Sequence, residues 1–364
     1  MTQETPFYTI GTMSGTSLDG LDLALVCYKQ ERYDVMKFST VEFPDDLHRD
    51  LCKITSESQV AIDFLMKLNT AYTSFVAKSI AEFTSQKIDL ISFSGQTIRH
   101  LPQERATLQL GCGGMLSSLT ATSVVCDFRS QDMGAGGQGA PLVPFVDYLL
   151  FADAAPVVLL NIGGIANITY IGDDGQVCAF DTGPGNMVIN ALAQKLYEMK
   201  YDANGEIAAR GIVDTTVLQD LLAHRYFGLP IPKSTGRVDF GADYLDYFLQ
   251  KTSHMSSEDR IALATELSAA SIAAAIDMHC AKRGKIIVSG GGKHNNTLMC
   301  SLHSRLSQWQ FAPIGEYGIN EDAKEALAFA ILGHRAYTGR TNHLPQTTGA
   351  DRELILGAIY HGGK

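Results

Sequence analysis

Apolar positions along this chain follow two periods. Around residues 7–12 and 21–28 they come in short runs, with Leu21, Leu23 and Leu25 alternating with Asp22 and Ala24, and this predicts two strands. The polar turn SGTSLDG separates them. Over residues 46–87 the spacing lengthens to three and four, at Leu47, Leu51 and Ile54, then Val60, Phe64, Leu68, Tyr72, Phe75 and Ile80. That stretch is predicted to be largely helical. A short buried strand at 88–92 leads into SGQTIRH, and further strands are predicted at 106–111 and 123–128. The pattern then restarts. A strand at 156–161, a turn at Gly163-Gly164 and a return strand at 168–171 are followed by the hairpin turn Asp173-Asp174-Gly175 and a strand at 177–180. DTGPGN then opens a helix over 187–199. An alanine-rich helix over 261–283 closed by Gly284, a strand at 286–289, GGGKHNNT with a helix behind it, and a helix over 320–337 complete the reading. No short tandem repeat is present, but each half opens with strand, glycine-rich turn, strand.

At roughly 150 residues per domain, the 364 residues suggest two domains. The glycine-rich RSQDMGAGGQGAP is the expected linker, with residues 134–139 as a hinge. The predicted division is 1–133 together with about 340–364, against 134–339. Apolar residues at 45%, charged residues at 19% and a mean hydropathy of +0.02 exclude a disordered chain. A net charge of -10 and a pI near 5.4 lack the basic footprint of a nucleic-acid binder. The N-terminus shows no signal-peptide pattern. Apolar stretches such as 326–332 fall well short of the roughly 18 residues a membrane span needs, so no membrane association is expected. Cys27, Cys52, Cys112, Cys126, Cys178, Cys280 and Cys300 form no CxxC pair. They read as reduced thiols of a cytoplasmic protein.

The glycine loops narrow the chemistry. Residues 15–20 match the opening of a P-loop, GxxxxG, but Leu21-Asp22 stand where Lys-Ser/Thr is required, and a strand follows instead of a helix. A hairpin turn whose amides hold phosphate remains open, as does an ordinary tight hairpin. Gly134, Gly136 and Gly139 spell GxGxxG, yet Pro141 and Pro144 follow directly, so no helix is expected in register and a dinucleotide fingerprint is excluded. Gly290-Gly291-Gly292 sits between a strand and a helix, suited either to a flat ligand on bare backbone or to close packing.

Among other side chains, no HExxH or GxSxG is present. Asp181 is placed at a strand end, where ligands bind on parallel sheets. It is either a proton acceptor or a turn cap. Arg129, with Asp127 and Asp132 close by, is an ion pair or an anion clamp. Glu325 lies on the last long helix. Gln96 and Thr97 follow Gly95 at a strand end and suit either a sugar contact or an ordinary polar loop.

Taken together, the motifs resemble a known family. GTMSGTSLDGLD (11–22), SGQTIRH (94–100), DFRSQDMGAGGQGAPLVPFVD (127–147), NIGGIANIT (161–169), FDTGPGN (180–186) and VSGGGKHN (288–295) are similar to those of the anhydro-N-acetylmuramic acid kinases, in the family's order across nearly the whole chain. The resemblance implies an α/β fold of two related actin-like (ribonuclease H-like) domains around an ATP cleft, shared with sugar kinases and heat-shock chaperones. It implies that Gly15, Thr16, Ser17, Leu18, Asp19, Gly20, Leu21 and Asp22 form a first phosphate hairpin, Asn161, Gly163 and Gly164 a second phosphate loop, and Gly290, Gly291 and Gly292 an adenosine loop. ATP with Mg2+ is implied as cofactor, its ligands unassigned. The implied reaction opens 1,6-anhydro-N-acetylmuramic acid with water and phosphorylates O6, as in cell-wall recycling. Asp181 becomes the base, with Glu325 beside it as a second carboxylate. Arg129 takes the lactyl carboxylate, and Gln96 and Thr97 the sugar. The implied partners are the sugar and ATP, with no nucleic acid or membrane, and a homodimer is left open.

Two rivals share the fold. One is a kinase for a sugar with a free hydroxyl, and the other an ATP-driven switch of the actin or chaperone kind. A dehydrogenase needs the fingerprint that the prolines exclude.

Overall fold

The computed structural model describes residues 5–15, 18–57 and 59–363. Thr16 and Ser17 of the expected phosphate hairpin lie outside the described residues. The strands in chain order are β1 (Phe7–Met13), β2 (Leu21–Lys29), β3 (Arg32–Val41), β4 (Leu90–Phe93), β5 (Gln96–Leu101), β6 (Ala106–Leu110), β7 (Ser123–Cys126), β8 (Val157–Ile162), β9 (Ile165–Ile171), β10 (Val177–Pro184), β11 (Gly284–Ser289), β12 (Trp309–Pro313) and β13 (Ala358–Tyr360).

The chain divides into two compact units, Met1–Val146 with Gly318–Lys364, and Asp147–Tyr317. In the first, the sheet order is β13-β7-β4-β1-β2-β3. Strands β1, β2 and β3 form an antiparallel meander, and β4 then β7 add in parallel beside β1. In the second, the order is β10-β9-β8-β11-β12. Here β8, β9 and β10 are the meander, and β11 then β12 add in parallel beside β8. The two units share one five-strand plan, the duplication that the actin-like expectation requires. The strand-turn-strand restart in the hydrophobic pattern is its trace in sequence.

Both expected domain boundaries move. The helix Lys324–Tyr337, assigned from sequence to the second domain, belongs to the first unit. It lies so close to the sheet that a Cβ on Gly11 would come 2.0 Å from the Ala326 carbonyl oxygen. Ser92 Oγ in β4 donates to the Phe329 carbonyl at 2.5 Å.

The glycine-rich stretch is no free linker either. It opens as a short helix, Ser130–Gly134, around Asp132, whose carboxylate is 0% exposed. Asp132 accepts from the Gly139 amide at 2.6 Å and from Thr348 Oγ1 at 2.5 Å, and lies 2.6 Å from His343 Nε2. The Gln138 amide donates to the Thr348 carbonyl, and that of Asp351 to Ala135. A segment tied at this many points within its own unit is not the unattached linker that its glycines suggest. The prolines also do not prevent a helix. Val143–Phe151 is helical with Pro144 in its first turn, where the missing N–H would be unpaired anyway. The fingerprint reading still fails, because a helix and not a strand precedes the glycines.

Other elements shift by their caps. The 46–87 stretch is two helices, Asp45–Ser56 and Ile62–Phe83. The alanine-rich helix runs Ser257–His279, opened by Ser256 Oγ accepting from the Asp259 amide, and Gly284 begins β11 instead of closing the helix. This helix is long and apolar enough to cross a membrane, with mean hydropathy 1.5, contrary to the expectation that no stretch is, but 72% of that window is buried inside the protein. The final long helix starts at Lys324, four residues later than predicted.

Candidate active site

In the first unit the predicted residues cluster at the carboxyl ends of the parallel strands β1, β4 and β7, where open α/β sheets place ligands. The turn between β1 and β2 is anchored from within. Leu18, at φ +61, is only 5% exposed, and Leu21 is buried beside it. Their side chains therefore anchor the turn in the core instead of facing outward. Gly15, Asp19 and Gly20 complete the described part of the turn. Gln96 is 0% exposed. It accepts from Ser14 Oγ and donates to the Gly15 and Thr97 carbonyls at 3.2 and 3.3 Å. Its side chain is spent on shaping the hairpin, which revises its expected contact with a sugar. Thr97 is half-buried.

Arg129 donates to the Gly139 carbonyl at 2.7 Å. Of its two sequence neighbours, Asp127 turns to Ser130 and Asp132 to the His343–Thr348 pair. Among the described residues Arg129 has no carboxylate ion pair, so the anion-clamp alternative fits the geometry better.

Asp22 accepts from Thr40 Oγ1 at 2.5 Å. Burial, with Asp322 and Asp19 adding repulsion, raises its carboxyl above the usual range, partly opposed by the Thr40 bond. Glu325, in the first turn of Lys324–Tyr337, is raised by crowding protein and then by Asp22, although its side chain reaches solvent.

In the second unit three motifs converge on the ends of β8, β10 and β11. The Asn186 amide and side chain both donate to the Gly163 carbonyl, at 2.8 and 3.0 Å, while the Gly185 and Met187 amides donate to Gly164. DTGPGN is thereby bolted onto the Asn161–Gly164 turn. Ser289 Oγ donates to Asn161 Oδ1 at 3.4 Å. Gly290, at φ +85, has no room for a Cβ, which would meet Asn161 Oδ1 and the Ile162 carbonyl at 2.6 and 2.7 Å. Gly292 presses on Ile162 in the same way, but Gly291 faces open space. It borders a cavity of about 560 Å³ lined by Asn186, Asn190, Asp202, His294 and Asn295 among others. Asn186, His294 and Asn295 stood inside the quoted motifs, whereas Asn190 and Asp202 carried no sequence signal. Gly291→Ala is expected to leave the melting temperature within about 1 °C and weaken nucleotide binding severalfold by calorimetry. An unchanged affinity would detach this loop from the nucleotide.

Strand β10 runs past its predicted end, so Asp181 lies within it, just before a register irregularity at Asp181/Gly183. Its Oδ2 accepts from the Thr235 amide at 2.8 Å. Burial pushes the carboxyl up to about 6, against the opposing pull of that amide. A carboxylate poised there can take a proton near neutral pH. Residues 225–240, which supply the amide, carried no sequence signal because KSTG directly after Pro230 and Pro232 reads as an ordinary loop.

The anhydro-N-acetylmuramic acid kinase family model matches residues 7–362. The protein of that name from Salinibacter ruber is 40% identical over 378 residues, covering 96% of this chain and 95% of its own. That from Clostridioides difficile is 37% identical over 374 residues, covering 97% and 98%. One from Bacillus cereus is 35% identical over 381 residues, covering 97% and 98%.

Proposed function

This chain belongs to the anhydro-N-acetylmuramic acid kinase family, and from that premise we propose that it couples water attack on the anhydro sugar to phosphoryl transfer from ATP. Membership makes it a kinase, a phosphotransferase to an alcohol acceptor. The observation carrying the finer reading is Asp181, a half-buried carboxylate with its pKa near 6 on the same edge as the NIGG and SGGG loops.

The substrate's O6 is tied to C1, so no free hydroxyl awaits the phosphoryl group. Asp181 takes a proton from water, the water oxygen bonds to C1, and the C1–O6 bond breaks. O6 leaves with the electron pair of that bond and takes the γ-phosphoryl group, releasing ADP. Arg129 and Thr97 hold the lactyl carboxylate and the sugar. Asp19 and Gly20 of the first hairpin and Gly164 of the second turn donate amides to the phosphates, the Leu18 and Gly163 amides being held by the Gly15 and Ile165 carbonyls. Transferring charge needs such donors already in place. The products are N-acetylmuramic acid 6-phosphate and ADP, and the role is recycling of cell-wall sugars in the cytoplasm.

Among the described residues no group of three or more His, Cys, Asp or Glu forms a ready metal site. The residues nevertheless fit Mg2+, which uses one or two carboxylates plus water and phosphate oxygens. Burial is the first cause that raises both the Asp22 and Glu325 carboxyls, and the Asp22 charge adds to it at Glu325. A divalent cation would offset the cost of ionising them. They are the residues that would hold it, and the ion would supply neutralisation of phosphate charge.

The test is ATP consumption with the anhydro sugar, with plain N-acetylmuramic acid and with neither, run in heavy-oxygen water. Consumption only with the anhydro sugar is expected. The early product should carry one heavy oxygen at C1, in the inverted anomer, and none in the phosphate bridge. Label in the bridge overturns the reaction as written. Turnover of the plain sugar points to an ordinary sugar kinase, and slow hydrolysis with no acceptor to an ATPase switch.

A further inference from the structure

A base works only if its carboxylate is held still, and residues 225–240 wrap Asp181 in a way that no motif above includes. The segment leaves the turn Arg225–Gly228, runs extended past Lys233 and Thr235, and closes in the helical turn Arg237–Phe240. Its ends are sunk in the core, where Tyr226 is 0% and Phe240 1% exposed.

Three hydrogen bonds tie it to Asp181. The Asp181 amide donates to the Lys233 carbonyl at 3.0 Å, Tyr226 OH donates to the Asp181 carbonyl at 2.7 Å, and the Thr235 amide donates to Oδ2 at 2.8 Å. The segment is itself locked. Lys233 Nζ donates to the Tyr226 and Phe227 carbonyls at 3.1 and 2.9 Å and lies 4.7 Å over the Tyr226 ring. Thr235 Oγ1 donates to Asp239 Oδ2 at 2.8 Å, and Asp239 Oδ1 lies 3.7 Å from the Arg225 guanidinium.

We propose that this segment is a strap for the base, in which Thr235 and Asp239 are positioning residues. Asp239 fixes the Thr235 side chain, the Thr235 amide fixes Oδ2 of Asp181, and Oδ1 is left as the oxygen that takes the proton from water. Among the described residues Oδ1 carries no hydrogen bond. Rotation about the last side-chain bond of a free carboxylate would swap its two oxygens and spoil the approach to water. A misplacement of about 1 Å is enough to cost on the order of 100-fold in rate. Lys233 takes part through its carbonyl, while its ammonium is spent on holding the turn.

The inference rests on the reading of Asp181 as the base, and the experiment separates the two. Thr235→Val keeps the side chain's size and removes its bond to Asp239. Its kcat is expected to fall about 10- to 100-fold with KM for sugar and nucleotide within twofold, and Thr235→Ser to recover most of the loss. Asp239→Asn is expected to lose less than Thr235→Val. The acid limb of the kcat/KM profile should move upward in Thr235→Val, because a weakened amide bond no longer lowers the Asp181 pKa. The titratable groups around Asp181 are Tyr226, Lys233 and Asp239 of the strap, and His279 at the end of the helix packed on β10. If Asp181→Asn is inactive but Thr235→Val keeps both wild-type kcat and the wild-type acid limb, the strap has no such role and the base survives. If Asp181→Asn is active, the base reading itself fails. Should Thr235→Val not fold, Asp239→Asn carries the same two readouts, and a wild-type kcat and acid limb there overturns the strap.

Discussion

Asp181→Asn is expected to cut turnover by about 10²–10⁴-fold, the usual cost of losing a positioned base, while making the folded protein more stable. Both effects have one cause. Burial raises the carboxyl from 3.8 to about 6, so the folded state holds the ionised form poorly. Below about pH 4 the group is neutral in both folded and unfolded chains and costs nothing. The penalty grows as pH rises and is complete above about 6. At about 1.4 kcal/mol per pH unit, it reaches up to about 3 kcal/mol at neutral pH, discounted by whatever water reaches this half-buried side chain. Asparagine keeps an oxygen for the Thr235 amide and carries no charge to desolvate. Its denaturation midpoint should therefore exceed wild type at pH 7.5 and converge with it near pH 4. In the wild-type enzyme, kcat/KM should fall tenfold per pH unit below about 6. An asparagine variant that turns over normally overturns the role of Asp181. One that is inactive but less stable would show that the carboxylate is structural.

Gly11→Ala is expected to destabilise the first unit by about 3 kcal/mol, the upper end of the usual cost of overpacking. The added Cβ would meet the Ala326 carbonyl oxygen at 2.0 Å, the Ala330 nitrogen at 2.6 Å and the Ala330 Cβ at 2.8 Å. Two of these atoms are backbone, so no rotamer change relieves the clash and the helix Lys324–Tyr337 must lift. That helix carries Glu325, so activity should suffer beyond what stability alone explains. Gly134→Ala is the matched control. It closes a short helix with no atom within 4 Å of its Cβ position, and should be neutral or stabilise by a few tenths of a kcal/mol. Urea denaturation of the pair decides the matter, since equal midpoints would mean that the strand-helix contact yields easily.

Much of the site was legible in the order of residues because glycine and short polar turns mark strand ends wherever they occur. SGTSLDG, SGQTIRH, NIGGI, DTGPGN and SGGG each announce a turn after an apolar run, and each stands at the carboxyl end of a strand. The repeated strand-turn-strand opening revealed the duplication for the same reason. A local pattern cannot report which chain segments are neighbours. The strap over Asp181 crosses 54 residues of sequence, and its ties are largely backbone groups, which every residue carries. Gln96 is polar next to a glycine and so reads as a ligand contact, but β4 and β5 turn it inward onto the first hairpin.

Period and turn chemistry alone determined the strand-turn-strand openings of the two halves and their glycine loops, since these depend on residues a few positions apart. They left Asp181 as proton acceptor or turn cap, and only the resemblance to the family made it the candidate base. Tertiary structure decided where the units divide, because the 134–139 stretch and the helix Lys324–Tyr337 pack within the first unit. It also set the poise of Asp181. That carboxyl rises toward neutral because protein displaces water around it, and burial is a property of the folded chain that no stretch of sequence carries by itself.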